Sequence, residues 1–197
     1  HTDTLAGWRP AELAALVGIF YIMRGAIRAI IQPSMEAFMD SVRKGTLDFV
    51  LTKPEDAQLL VSIQRVSLWS VLDVLLGLGV VAVALTSLGA QIGLGQLVAF
   101  TLALITGSVI VYSFYVVLAT CAFWFIKIEN ILVIFQSLYQ AGLWPVGIYP
   151  QTLQIILTFL VPVAFAVTVP AEAAVGRLSP PTLWLAMGLA VLLFVVA

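Results

Sequence analysis

Apolar residues run through this chain in long blocks, and the polar residues fall between them in a few short islands. No acidic or basic side chain occurs between Asp73 and Lys127, between Glu129 and Glu172, or after Arg177. Such blocks match or exceed the roughly 20 apolar residues that carry a helix across about 30 Å of hydrocarbon. They are continuously apolar rather than alternating, which excludes the strands of a membrane barrel. The pattern predicts an all-α fold, a polytopic transmembrane helical bundle forming one domain over 1–197. Spans are expected near 12–31, 66–85, 96–125, 131–144 and 182–197, with a polar loop near 33–65.

The first span has Pro10 near its start, where a missing amide hydrogen is tolerated. Pro33 is expected to end it. Arg24 and Arg28 lie four residues apart, on one face. In the following piece, Met35, Phe38, Met39 and Val42 recur at helical spacing, with Glu36, Asp40, Arg43 and Lys44 on the remaining surface. Two readings stand: an interfacial helix lying on lipid, or a helix that offers Met35, Phe38 and Met39 to a cytosolic partner. Gly45 is the expected C-cap. Thr52, Pro54 and Glu55 have the spacing of a capping box, predicting a helix that starts near Thr52 and runs unbroken through Arg65 into the second span. Between Pro145 and Pro170 the prolines at 150 and 162 interrupt one apolar stretch. It is expected either to enter the membrane and return over about 145–170, or to cross it as a kinked span.

Charge adds orientation. The chain carries nine basic and ten acidic side chains, too few for the surface of a soluble domain of this size. Arg24, Arg28, Arg43, Lys44, Lys53, Arg65 and Lys127 gather on one side, so the 33–65 loop and the Lys127 turn are expected to be cytoplasmic. A net charge of −1 gives no sign of nucleic-acid binding. His1 is the sole histidine, which argues against a histidine metal site or a catalytic triad, and no metal site is expected. No Walker A sequence is present, so nucleotide hydrolysis would have to come from another chain. Cys121 is the sole cysteine. The start at His1 and the close inside an apolar run predict a segment of a longer protein.

Asp73 stands about two turns inside the second span, a costly depth for an unpaired charge. It is expected to pair with Arg24 or Arg28, to face solvent at the inner boundary, or to serve as a proton or cation site. Ser108, Tyr112, Ser113 and Tyr115 are candidate lining residues of a substrate path.

The stretch VRKGTLDFVLTKP resembles the loop motif R-x-G-x-L-D-x-x-L-x-x-P of ABC-2-type permeases, in the bacterial branch long catalogued without a function. Arg43, Gly45, Leu47, Asp48, Leu51 and Pro54 match it in full. A later stretch resembles the same family at Tyr149-Pro150, Val161-Pro162, Ala164-Phe165 and Pro170-Ala171, with Val169 in place of the usual aromatic. The resemblance implies a permease subunit of an ATP-binding-cassette exporter in the bacterial inner membrane, moving a small molecule outward. It implies a cytoplasmic coupling helix and loop that meet the ATPase, and an external re-entrant hairpin before the last span. It also implies a second permease subunit, identical or related, and two copies of a cytosolic ATPase that hold the ATP and Mg. The guess for substrate is lipophilic or cationic. The rival classes are a secondary transporter working through Asp73 and a membrane-embedded enzyme.

Overall fold

In the computed structural model, described over residues 4–48, 52, 57–89, 93–121 and 129–197, all regular elements are helical. Leu51, Lys53, Pro54, Glu55 and Lys127 lie outside the described residues. The helices are α1 (Pro10–Ala26), α2 (Gln32–Lys44), α3 (Ala57–Ser62), α4 (Val71–Ser87), α5 (Leu94–Thr120), α6 (Glu129–Tyr139), α7 (Gln151–Ile155), α8 (Val169–Ala174) and α9 (Pro180–Val196). Three helical stretches are long and apolar enough to cross a membrane: Pro10–Lys44, Leu68–Ser87 and Leu94–Thr120. The stretches expected to span at 131–144 and 182–197 contain the shorter helices α6 and α9.

Pro33 does not end the first helix, contrary to expectation. Helix α1 passes through a π turn, Ile27–Ile31, into α2, giving one rod of 35 residues. Proline at position 33 cannot donate to the carbonyl four residues back, Ala29 O. The Ser67 N–H fills that place at 2.7 Å. Next to it, Ser34 Oγ donates to Arg65 O at 3.0 Å and accepts from the Arg65 N–H at 3.3 Å. A helix that would have broken is therefore completed by the strand-like segment leading into the second span.

The same segment overturns the expected unbroken helix from Thr52 to the second span. Among the described residues helix α3 covers Ala57–Ser62, the chain is non-helical near 64–67, and a 3-10 turn at Leu68–Ser70 leads into α4. Backbone groups of Arg65 and Ser67 are taken by the α1–α2 rod, so they are withdrawn from helix bonding.

Helices α1 and α4 pack antiparallel at very short range. A Cβ on Gly77 would lie 2.5 Å from Gly18 O, and one on Gly25 would lie 2.9 Å from Val74 N. Small residues let membrane helices approach this closely and gain dispersion contacts along their backbones. Helix α5 lies alongside, with Val111, Tyr115, Val116 and Ala119 in the same core as Phe20, Met23 and Met35.

Helix α6 rises along α5 and α1. The Phe135 ring meets Tyr115 at 4.7 Å, and Tyr139 stacks on Phe20 at 5.4 Å. Beyond it, two arms, Gln151–Leu160 and Ala164–Ala174, meet at an 80° bend around Pro162. Pro170 does not interrupt the second arm. It sits in the first turn of α8, after the π turn Ala164–Thr168. That arm is buried, and α5 makes room for it at Gly107, where a Cβ would stand 2.8 Å from Phe165 O.

Candidate functional site

Two ends of the bundle carry its polar chemistry. At one end, α2 finishes in Asp40, Arg43 and Lys44. Arg43 Nη2 donates to Asp40 Oδ1 at 2.9 Å, and Lys44 Nζ donates to Asp40 Oδ2. The Lys44 ammonium holds the Asp40 carboxyl below its usual range against the opposing effect of burial, and the Arg43 guanidinium adds to the lowering. Gly45 takes the left-handed conformation, φ 67°. Its N–H donates to Val42 O at 3.2 Å and the Thr46 N–H donates to Ser41 O at 3.0 Å, the two bonds of a Schellman end. The reversal throws Asp48 outward and Leu47 inward. Asp48 O then accepts from the Thr52 N–H at 3.0 Å.

The apolar stripe of α2 is not on offer to a partner. Met35 and Met39 are buried and Phe38 is partly buried, all within the main core. Met35, Phe38 and Leu47 line an apolar groove of about 240 Å3 with Val61, Val116 and Ala119. The reading of Met35, Phe38 and Met39 as an outward docking stripe is corrected accordingly: α3 and α5 are what the stripe faces. The surface left at this tip is Arg43, Lys44, Gly45, Thr46 and Asp48.

The intramembrane charges sit where α1 and α4 cross. Arg24 Nη2 donates to Asp73 Oδ1 at 3.1 Å. The guanidinium also lies over the Tyr21 ring, 4.4 Å from its centroid. Arg28, one turn further, is exposed and has no ion-pair partner among the described residues.

The candidate path residues are not brought together. Ser108 donates back to Leu104 O at 2.8 Å and toward Met23 Sδ at 3.6 Å. Tyr112 points to α3: its hydroxyl is 2.6 Å from Ser62 Oγ and accepts from Gln58 Nε2 at 3.3 Å. Ser113 and Tyr115 are fully buried. The path reading therefore does not hold as a shared lining. Tyr112 instead ties α5 to the polar loop.

At the opposite end, Glu12 is buried and held by two arginines. Arg177 Nη1 donates to Glu12 Oε2 and to Gly7 O, both at 2.9 Å, and Arg9 Nη2 donates to Glu12 Oε1 at 3.1 Å. Arg177 also lies over the Trp8 ring at 5.1 Å. Gln96 Nε2 reaches Ala174 O at 2.6 Å. The start of α1, the start of α5 and the end of α8 are thus gathered at the end away from Asp48. Nothing in the spacing of Glu12 and Arg177, 165 residues apart, signals this contact.

A family model described as ABC-2 family transporter protein matches residues 1–197. The chain belongs to that family. Membership makes it the membrane permease of an ABC transporter, a multi-pass membrane protein consistent with a bacterial inner membrane, and a transport subunit rather than a catalyst. The family works with an ABC ATPase. No curated protein and no solved structure matches the chain.

Proposed function

We propose that this permease couples ATP hydrolysis on a separate ATPase subunit to outward movement of a small molecule, and that the Arg43–Asp48 tip receives the ATPase. The observation that carries this reading is the connection of the tip to the membrane helices. The tip ends a 35-residue rod, and it is braced at Ser67–Ala29, Ser34–Arg65 and Tyr112–Ser62. A push on the tip is transmitted along α1–α2 and, through α3, to α5. The continuous coupling helix expected from the sequence is replaced in this role by the rod and its braces.

Two permeases, identical or related, with two ATPase copies form the transporter. ATP and Mg sit on the ATPase chains, and surrounding lipid covers the apolar outer faces of α4 and α9. The tip is cytoplasmic and the Glu12–Arg177 end external, in line with the basic residues near the tip. Helix α6 runs away from the tip end, and Arg177 lies at the far end. The chain between them therefore makes one net crossing, and the bent pair 151–174 is a re-entrant hairpin entered from outside. A secondary-transport role for Asp73 has less support, because its carboxylate is engaged by Arg24.

The test is Asp48→Ala with substrate-stimulated ATP hydrolysis and complex assembly as readouts. Among the described residues the Asp48 side chain is exposed and has no hydrogen-bond or ion-pair partner, so the change leaves the described packing intact. Lost stimulation in a folded protein supports the tip. Unchanged coupling, together with unchanged coupling in Leu47→Asp, sinks it.

A further inference from the structure

The short segment that completes the rod at Pro33 also marks where the membrane ends. The second span, Leu68–Ser87, has 20 residues. It is about 30 Å long, the thickness of the hydrocarbon and no more. Leu68 therefore stands at one boundary and Ser87 at the other. The rod gives the same level by a separate route. The Ser67 N–H bonds Ala29 O at 2.7 Å. Ala29 lies about 29 Å along the rod from its start at Pro10. Residues 63–67 thus lie just beyond the hydrocarbon, at the depth of lipid headgroups, on the side of the Arg43–Asp48 tip.

This segment carries an apolar surface left uncovered among the described residues. Ile63 is 58%, Val66 55%, Leu68 77% and Trp69 84% exposed. A patch of this kind marks a surface for a partner or for a membrane. Trp69, Leu72 and Leu76 follow at i, i+3 and i+7, and all three are exposed. The patch therefore runs without a break into the lipid-facing side of α4. Its depth and that continuity make lipid the cover. In the reading above the ATPase meets the tip, and Lys44 lies about 22 Å further along the rod than Ala29.

Arg65 supplies the chemistry for a headgroup. Ser34 Oγ holds its backbone through both the carbonyl and the N–H. Its side chain is exposed and has no hydrogen bond or ion pair among the described residues. Glu36 and Asp73, on the adjoining parts of the rod and α4, are bonded to Gln32 at 2.7 Å and to Arg24 at 3.1 Å. A free guanidinium on a fixed backbone is a positioned cation, and its planar fork matches two oxygens of a phosphate. Trp69, four residues on, adds an amphipathic ring that favours the same layer.

We propose that 63–69 is a phospholipid contact in the tip-side leaflet, with Arg65 on the phosphate of an anionic lipid and Leu68 and Trp69 against the upper acyl chains. The lipid rests on the segment that braces the rod, beside the Ser67–Ala29 bond. In phosphatidylcholine the choline offsets the phosphate charge, and in phosphatidylglycerol nothing does, so the contact prefers the anionic lipid. One arginine near a membrane surface gives a preference of about fivefold. The proposal goes beyond the transport reading and does not depend on it.

The test is quenching of Trp69 by brominated lipid, in vesicles holding the permease without ATPase. Phosphatidylcholine is mixed with phosphatidylglycerol brominated on its acyl chains, or with phosphatidylcholine brominated in the same way, over a range of mole fractions. The Trp69 signal is the difference between each protein and its Trp69→Phe variant, a change at an exposed side chain that leaves the packing intact. The expected result is quenching by both lipids, with a relative binding constant about fivefold in favour of phosphatidylglycerol. In Arg65→Gln that preference is expected to disappear, while Arg65→Lys, which keeps the charge, retains most of it. Trp69 quenched by neither lipid overturns the proposal, because something other than lipid then covers the patch. Equal quenching by the two lipids overturns it as well, and so does a preference that survives in Arg65→Gln. With no ATPase present, each of these leaves the coupling reading standing; failure of coupling at the tip leaves the quenching unchanged.

Discussion

Gly77→Ala and Gly79→Ala differ by one methyl placed two residues apart on α4, and the structure predicts opposite outcomes. At Gly79 an added Cβ meets nothing within 4 Å. That change removes a glycine from a helix interior and stabilises by up to about 1 kcal/mol. At Gly77 the same atom would lie 2.5 Å from Gly18 O, 2.7 Å from Ile22 N and 2.8 Å from Ile22 Cγ1. Two of these are backbone atoms, so no rotamer change relieves the clash. The helices have to separate by roughly 1 Å to restore ordinary contact. Overpacking of this kind costs about 1–3 kcal/mol. The Arg24–Asp73 bond, in the same seam, stretches as well. The gain from removing a helix glycine is common to both variants, so they should differ by the clash alone, about 1–3 kcal/mol, and each kcal/mol moves the unfolding temperature by about 2–4 °C for a chain of this size. Thermal unfolding in detergent at one fixed scan rate measures it, with tryptophan fluorescence as the signal. If Gly77→Ala unfolds with Gly79→Ala, the close α1–α4 seam is wrong.

Ser67→Pro removes the N–H that satisfies Ala29 O, and is expected to destabilise by about 1–3 kcal/mol, as an orphaned buried carbonyl does; a parent-like melt would contradict the completed-helix account of Pro33. Tyr112→Phe cuts the tie from α5 to Ser62 and Gln58, and should lower stability by about 1 kcal/mol while reducing substrate stimulation of the ATPase more than basal hydrolysis. Asp73→Asn leaves the half-buried Arg24 guanidinium without its charge partner and should lower the melting temperature; intact stability with an altered pH dependence of transport would favour the proton-site rival. A single cysteine at the exposed Ser179, in a Cys121→Ser background, should react with an impermeant thiol reagent on intact cells; labelling only after permeabilisation would reverse the hairpin and the direction of α9.

Helices α1, α4 and α5 were readable in the sequence because hydrocarbon thickness sets the length of an apolar block, and no tertiary contact is needed to see it. Gly45 was readable as a helix end because a left-handed residue after a basic turn is a local matter. Arg24 and Asp73 stood out as the charges with most to gain from a partner at their depth, and they lie 3.1 Å apart. What failed depends on distant backbone. Pro33 looked like a stop because its missing bond is local, while the Ser67 N–H that replaces it is 34 residues away. The Met35, Phe38 and Met39 stripe was visible, but periodicity does not say whether α5 or another protein covers it. The Glu12–Arg177 contact and the unpartnered hydroxyls of Tyr115 and Tyr139 arise only when three or more helices meet.

The most direct test of the account is cross-linking of the tip to the ATPase. Thr46 is exposed at the tip, and Gly95 is exposed at the other end. Single cysteines at each, in a Cys121→Ser background, are tested in the assembled transporter with a short thiol–amine cross-linker. The account predicts a permease–ATPase adduct from Thr46→Cys, changed in yield by ATP, and none from Gly95→Cys. An assembled complex with no adduct from Thr46→Cys, or with equal adducts from both positions, contradicts it.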